Sequence, residues 1–186
     1  MIDPTPKDFP DLSTARLALR APSVNDVGDY RELLSIPAVT RFSDLPDSPS
    51  VARTEALIKW MANLQPGGKG CAWLITVAVS TKPIGAIRFN RIDKISKCGV
   101  VGYELHPDFW GKGLMTEALS SVVQYGHDGL QLNRIEATTS TGNEASNSVL
   151  RKCGFAQEGV LRQKHWFKGA FHDCNMFARL ARDPAT

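Results

Sequence analysis

The sequence predicts an α/β fold in which helices pack on a mixed sheet. Three observations predict it. Segments alternating apolar and polar residues are interleaved with segments whose apolar residues recur every three or four positions. Their order along the chain reads β-α-α-β-β-β-α-β-α-β-β. A glycine-bearing turn, Trp110-Gly111-Lys112-Gly113-Leu114-Met115-Thr116, joins a short apolar strand to a long amphipathic run without a second break.

Residues 1–13 are rich in Pro and Asp and are expected to be loose. Arg16-Leu17-Ala18-Leu19-Arg20 alternates as a strand does. Ser23 with Asp26 forms a capping-box start for a helix running to about Ser35. Ser48-Pro49 opens a second helix with Leu57, Ile58, Met61 and Leu64 on one face, ended by Gly67-Gly68. Cys71 to Val79 and Ile84 to Ile92 read as a hairpin about Thr81-Lys82-Pro83, and Cys98 to Leu105 as a further strand. The helix after the glycine turn carries Met115, Ala118, Leu119, Val122 and Val123 and ends near Gly126. Arg134 to Thr139 is a strand, and Asn143 caps a short helix through Lys152 that Gly154 stops. The last two strands, near Ala156 to Arg162 and Phe171 to Leu180, flank a loop holding His165 and Trp166. One domain is expected over residues 14–182, with a tail at 183–186.

The chain has 186 residues, 42% hydrophobic and 22% charged, which is enough to bury a core in one domain. A net charge of +3 suits an anionic ligand, but no Lys/Arg-rich run argues for nucleic acid. No apolar stretch reaches membrane-spanning length and the N-terminus lacks a signal peptide's pattern, so no membrane and a cytoplasmic location are expected. Cys71, Cys98, Cys153 and Cys174 are far apart and read as reduced thiols packed as small hydrophobes. His106, His127, His165 and His172 lack metal-ligand spacing, so no metal is expected. Trp60, Trp73, Trp110 and Trp166 are expected in the core or lining a groove.

The glycine turn is the most informative segment. Such a turn at the mouth of a helix aims several backbone N–H groups at one spot, and the helix dipole adds positive potential. Glycine lets the backbone approach a phosphate with no Cβ in the way. The stretch reads as a pyrophosphate-type anion site; the alternative is a helix start whose glycines only serve a tight turn. The dinucleotide fingerprint does not fit, because Thr116 stands where its third glycine belongs. The P-loop does not fit either, because Leu114 follows Gly113.

This order of elements, with a glycine loop between a central strand and its following helix, resembles the GCN5-related N-acetyltransferase (GNAT) superfamily. That family's motif has Gln or Arg, two residues, Gly, one residue, then Gly or Ala. On this chain it falls on Trp110, Gly113 and Met115, so its first and last positions depart. The RimJ and RimL subgroup of ribosomal-protein N-terminal acetyltransferases is more similar. It resembles the chain at Phe89-Asn90-Arg91-Ile92, Gly102-Tyr103, Gly111 to Thr116, Asn143 with Ser146-Asn147, Gly154-Phe155 with Glu158-Gly159, and Asp173.

The resemblance implies a central, mostly antiparallel twisted sheet flanked by helices, and acetyl-CoA as co-substrate. The coenzyme's pyrophosphate would sit on the amides of Gly111, Lys112, Gly113, Leu114, Met115 and Thr116, with Lys112 more naturally a solvated lysine. The pantetheine arm would lie beside the preceding strand, bonding backbone from Tyr103 to His106, with the Leu105 amide at the thioester oxygen. Asn143 would touch the coenzyme as well as cap its helix. The acceptor would be a primary amine, preferably a protein N-terminus. The rivals are a small amine such as a polyamine, amino acid or aminoglycoside, and a non-catalytic acyl-CoA-binding module. A homodimer is a further possibility by resemblance. Candidate bases are Glu104, whose alternative is a structural salt bridge, and His165, which falls where RimL-type enzymes carry a glutamate proposed as base. Ser146 matches a serine proposed to protonate the leaving thiolate, with a helix-capping hydroxyl as its alternative. Tyr103 and Tyr125 are alternative acids.

Overall fold

The computed structural model describes residues 10–45, 47–77 and 79–184. Its sheet has eight strands: β1 (Leu12–Ser13), β2 (Leu17–Arg20), β3 (Cys71–Val77), β4 (Gly85–Asp93), β5 (Cys98–Leu105), β6 (Arg134–Ser140), β7 (Ala156–Phe167) and β8 (Ala170–Leu180). They lie in the order β1-β2-β3-β4-β5-β6-β8-β7, antiparallel except where β5 meets β6. The helices are α1 (Val27–Leu34), α2 (Pro37–Thr40), α3 (Val51–Ala62), α4 (Leu114–Gln124) and α5 (Glu144–Lys152).

Alternation along the strands sends side chains to two cores. On one face Leu17, Leu19, Trp73, Ile75, Ile87, Phe89 and Val101 pack with Leu114, Met115, Ala118, Leu119 and Val122 of α4 and Leu150 of α5. On the other, Ala72, Leu74 and Ala86 pack with Tyr30, Leu33 and Leu34 of α1 and Ile58 and Met61 of α3.

Several local readings hold. Ser23 and Asp26 form a capping box, the first helical stretch runs through Leu34, and Asn143 caps α5 by accepting from the Ser146 amide at 3.2 Å. Gly154 follows α5 at φ 77°. Others change. Residues 10–13 are not loose as expected, because Leu12–Ser13 pairs with Ala18–Leu19 and the Trp73 indole donates to the Pro10 carbonyl at 2.7 Å; residues 1–9 lie outside the described residues. The cap of α3 is Ser50, whose hydroxyl accepts from the Arg53 amide, and Ser48 instead sits at φ 48°. Of the four tryptophans only Trp73 is buried, whereas Trp60, Trp110 and Trp166 are exposed. Cys71, Cys153 and Cys174 are buried free thiols and Cys98 is half-buried. Among the described residues no helix is long and apolar enough to cross a membrane.

The largest correction concerns the C-terminal hairpin. His165 and Trp166 are not in a loop. They belong to β7, which continues to Phe167 and turns into β8 through Lys168 and Gly169 alone, at φ 50° and 77°. Positive φ at both residues suits a two-residue hairpin turn. A bulge between Leu161 and His165, with Gln163 at φ 49°, breaks the alternation that marks a strand. The Gln163 amide is satisfied there by the Asp173 carboxylate at 2.7 Å.

Candidate active site

Gly111 and Gly113 take φ of 71° and 73°, a left-handed backbone that other residues rarely adopt. Gly113 is the N-cap of α4 and brings no side chain to cap it. The helix's own bonding begins with the Glu117 amide on the Gly113 carbonyl at 3.0 Å, which leaves the amides of Leu114, Met115 and Thr116 at its open first turn. A Cβ at Gly111 would meet nothing within 4 Å. Open amides, a dipole end and free space fit a bound phosphate. The exposed Lys112 ammonium lies 5.6 Å from the Phe109 ring, a surface cation–π contact.

Immediately before this turn the sheet splits. β5 pairs with β6 only through Cys98–Val100 against Arg134–Glu136. Beyond that point β5 continues to Leu105 bonded to β4, and β6 continues to Ser140 bonded to β8. The edge of β5 from Val101 to Leu105 thus faces a gap. The His106 amide donates to the Ile84 carbonyl at 2.8 Å, and its carbonyl accepts from the Phe109 amide at 3.0 Å. Alternation then directs the backbone of Tyr103 and Leu105 into the gap. The Leu105 carbonyl is held by the Trp110 indole at 2.7 Å. His106 therefore leaves the expected set of backbone contacts, because both its backbone groups are engaged.

On the α4/α5 face of the gap, the Tyr103 and Ser146 hydroxyls lie 2.8 Å apart. Burial raises the Tyr103 hydroxyl above its ordinary pKa, against the opposing effect of its bond to Ser146. The helix turn that carries Ser146 is anchored through its neighbour Asn147. Thr139 of β6 donates to the fully buried Asn147 side chain at 2.6 Å, and Asn147 donates to Glu144 at 3.1 Å.

Glu104 points to the opposite face, with Ala86 as its cross-strand partner. It faces neither solvent nor an open cleft. Arg88 binds both its oxygens at 2.7 and 2.9 Å, and the Tyr30 hydroxyl donates to it at 2.5 Å. The side chains of Arg88 and Glu104 are 10% and 4% exposed. Of the two readings of Glu104, this geometry is the salt bridge: each oxygen is occupied by a strong donor. Burial and the neighbouring Glu104 charge push the Tyr30 hydroxyl well above its usual pKa. Neither Arg88 nor Tyr30 was singled out from the sequence. The available signal was an arginine flanked by the apolar Ala86, Ile87 and Phe89 of β4, since a buried charge demands a partner.

His165 is reached through the register. It faces His172, which alternates with Cys174, and Cys174 faces Ser140. The Ser140 hydroxyl donates to the Phe42 carbonyl at 3.2 Å. Tracing Ser140 to Glu136 and across to Val100 puts His165 on the same sheet face as Glu104. The hairpin tip is tied over this face by Lys168, whose ammonium binds Asp47 at 2.6 and 2.7 Å. The structure therefore brings Tyr103, Ser146 and the glycine turn together on one face and places Glu104 and His165 on the other. Tyr125 is apart, packed edge-on to Trp73 beyond α4.

The profile of the acetyltransferase (GNAT) domain matches residues 16–156. An uncharacterised N-acetyltransferase of Bacillus subtilis, YoaA, is 36% identical over 170 residues, 91% of this chain and 96% of that protein. The ribosomal-protein-serine acetyltransferase of Escherichia coli is 30% identical over 112 residues, 60% of this chain and 63% of that protein. The solved structure of RimL, a ribosomal L7/L12 alpha-N-protein acetyltransferase in complex with coenzyme A, superimposes with a TM-score of 0.85 at 26% identity, covering 92% of this chain and 98% of that one.

Proposed function

This chain belongs to the acetyltransferase (GNAT) family, and from that premise we propose that it acetylates a protein N-terminal α-amino group. It is an acetyl-CoA-dependent N-acetyltransferase. The observation that carries the reading is the gap between β5 and β6, which opens beside the glycine turn and has the Tyr103 and Ser146 hydroxyls on one face. The acceptor class rests on likeness to the ribosomal-protein-serine acetyltransferase and to RimL.

In this reading the pyrophosphate rests on the first-turn amides of α4, and the pantetheine arm follows the free edge of β5. The Leu105 N–H steadies the thioester oxygen as it gains charge. The amine enters from the face that carries His165 and forms its bond to the acyl carbon as the carbon–sulfur bond breaks. His165 removes the amine's proton, directly or through water. Ser146, backed by the half-buried Tyr103 hydroxyl, returns a proton to the departing sulfur on the opposite face. Glu104 holds the floor of the site through Arg88 and Tyr30. An α-amino group titrates near ~8 and a lysine near ~10.4, so at neutral pH an N-terminus supplies the neutral nucleophile more readily.

The test is competition. Peptides with a free N-terminus are expected to give a higher kcat/KM than free lysine, polyamines or aminoglycosides, with products identified by mass spectrometry. A small amine that outpaces every peptide would replace this acceptor.

A further inference from the structure

We propose that Thr14, Arg16 and Glu117 are positioning residues that shape the coenzyme-phosphate seat from the far edge of the sheet. The inference rests on the pyrophosphate reading of the glycine turn and deepens it.

Glu117 stands in the first turn of α4, close to where an anion would bind. On charge alone a carboxylate there opposes phosphate. The structure occupies it fully. The Thr14 hydroxyl and Arg16 amide donate to one oxygen at 2.5 and 3.0 Å, and the Arg16 Nε donates to the other at 2.6 Å. Burial works to raise the Glu117 carboxyl's pKa, and the bonds from Thr14 and Arg16 outweigh it, so the group stays ionised below its usual range. The remaining arm of the same guanidinium, Nη1, grips the Lys112 carbonyl at 2.9 Å.

That last bond has a geometric consequence. In a trans peptide the carbonyl of one residue and the N–H of the next point opposite ways. Anchoring the Lys112 carbonyl on the β2 side turns the Gly113 N–H away from Arg16, to the side left open for a ligand. Glycines at positive φ on both sides of Lys112 leave this peptide plane free to rotate in the absence of such an anchor. Thr14 is itself set by the Leu17 amide, which donates to its hydroxyl at 3.0 Å. The clamp thus spans about a hundred residues of sequence and joins the start of β2 to the turn.

Calorimetric dissociation constants for CoA and for pantetheine, which lacks the phosphates, test it on the full chain at fixed ionic strength. Arg16→Ala, Arg16→Lys and Glu117→Ala are each expected to weaken CoA at least about tenfold, the scale of losing a charge-assisted hydrogen bond. Pantetheine should change less than about twofold in each. Lysine keeps the charge but cannot reach Glu117 and the Lys112 carbonyl together. Tighter CoA binding by Glu117→Ala would show that charge, not geometry, governs the seat, and would overturn the proposal. So would an Arg16→Lys variant that binds as wild type, or equal losses for CoA and pantetheine. Wild-type protein that binds CoA no better than pantetheine would instead remove the pyrophosphate reading, and the clamp with it.

Discussion

Glu104→Ala is expected to lower the stability of the fold by about 3–5 kcal/mol, the cost of breaking a buried ion pair by removing one partner. Arg88 would keep its charge at 10% side-chain exposure with no counter-ion on β5. The buried Tyr30 hydroxyl would lose its acceptor as well. The three groups come from α1, β4 and β5, so the loss reaches the contact between the first helix and the strand beside the gap. Urea or guanidinium unfolding measures it. The paired change Arg88→Met with Glu104→Leu should recover most of the deficit, because an apolar pair of similar volume leaves no orphan charge. A Glu104→Ala protein within about 0.5 kcal/mol of wild type would mean that the pair is solvated and the floor of the site is not built as described.

His165→Ala should lower kcat about 10²–10⁴-fold at neutral pH, the usual contribution of a positioned general base. KM for acetyl-CoA should change little, because His165 lies on the sheet face opposite Tyr103 and Ser146 and apart from the glycine turn. The deficit should shrink as pH rises past ~8, where an α-amino acceptor loses its proton unaided. Ser146→Ala gives the contrasting signature. It removes a donor, so higher pH cannot restore its rate. Tyr103, 2.8 Å away, can partly replace it, and the double variant with Tyr103→Phe should be slower than either single change. If the pH–rate profile of His165→Ala parallels that of wild type, His165 is not the base and the proton leaves by another route.

What was legible in the sequence was local. The capping box at Ser23 and Asp26, the Asn143 cap and the amphipathic face of α4 each depend on residues within one or two turns, and each stands in the structure. The glycine turn was legible because Gly111 and Gly113 are needed where φ is positive. What escaped was long-range or irregular. Glu104 could be read as base or salt bridge because its partners lie 16 and 74 residues away, on β4 and α1. The Thr14–Arg16–Glu117 clamp has no local pattern at all. The bulge before His165 hid the second half of β7, since a period-two pattern fails wherever an extra residue is inserted. The four residues of α2 are too few to show helical periodicity.

A calorimetric titration of CoA into wild type and Gly113→Val tests whether the turn from Gly111 to Thr116 holds the coenzyme. At Gly113 only the Arg16 side chain comes within 4 Å of an added Cβ, at 3.7 Å, so the variant has room to fold. A valine there is nevertheless strained at φ 73°, by about 1–2 kcal/mol, and its side chain meets the Arg16 guanidinium, whose Nη1 holds the Lys112 carbonyl and so sets the turn. Wild type should bind CoA saturably, while the variant still unfolds cooperatively and binds at least about tenfold more weakly, a loss of ~1.4 kcal/mol or more. A folded Gly113→Val protein that binds CoA as tightly as wild type would place the coenzyme elsewhere and contradict the assignment of the turn.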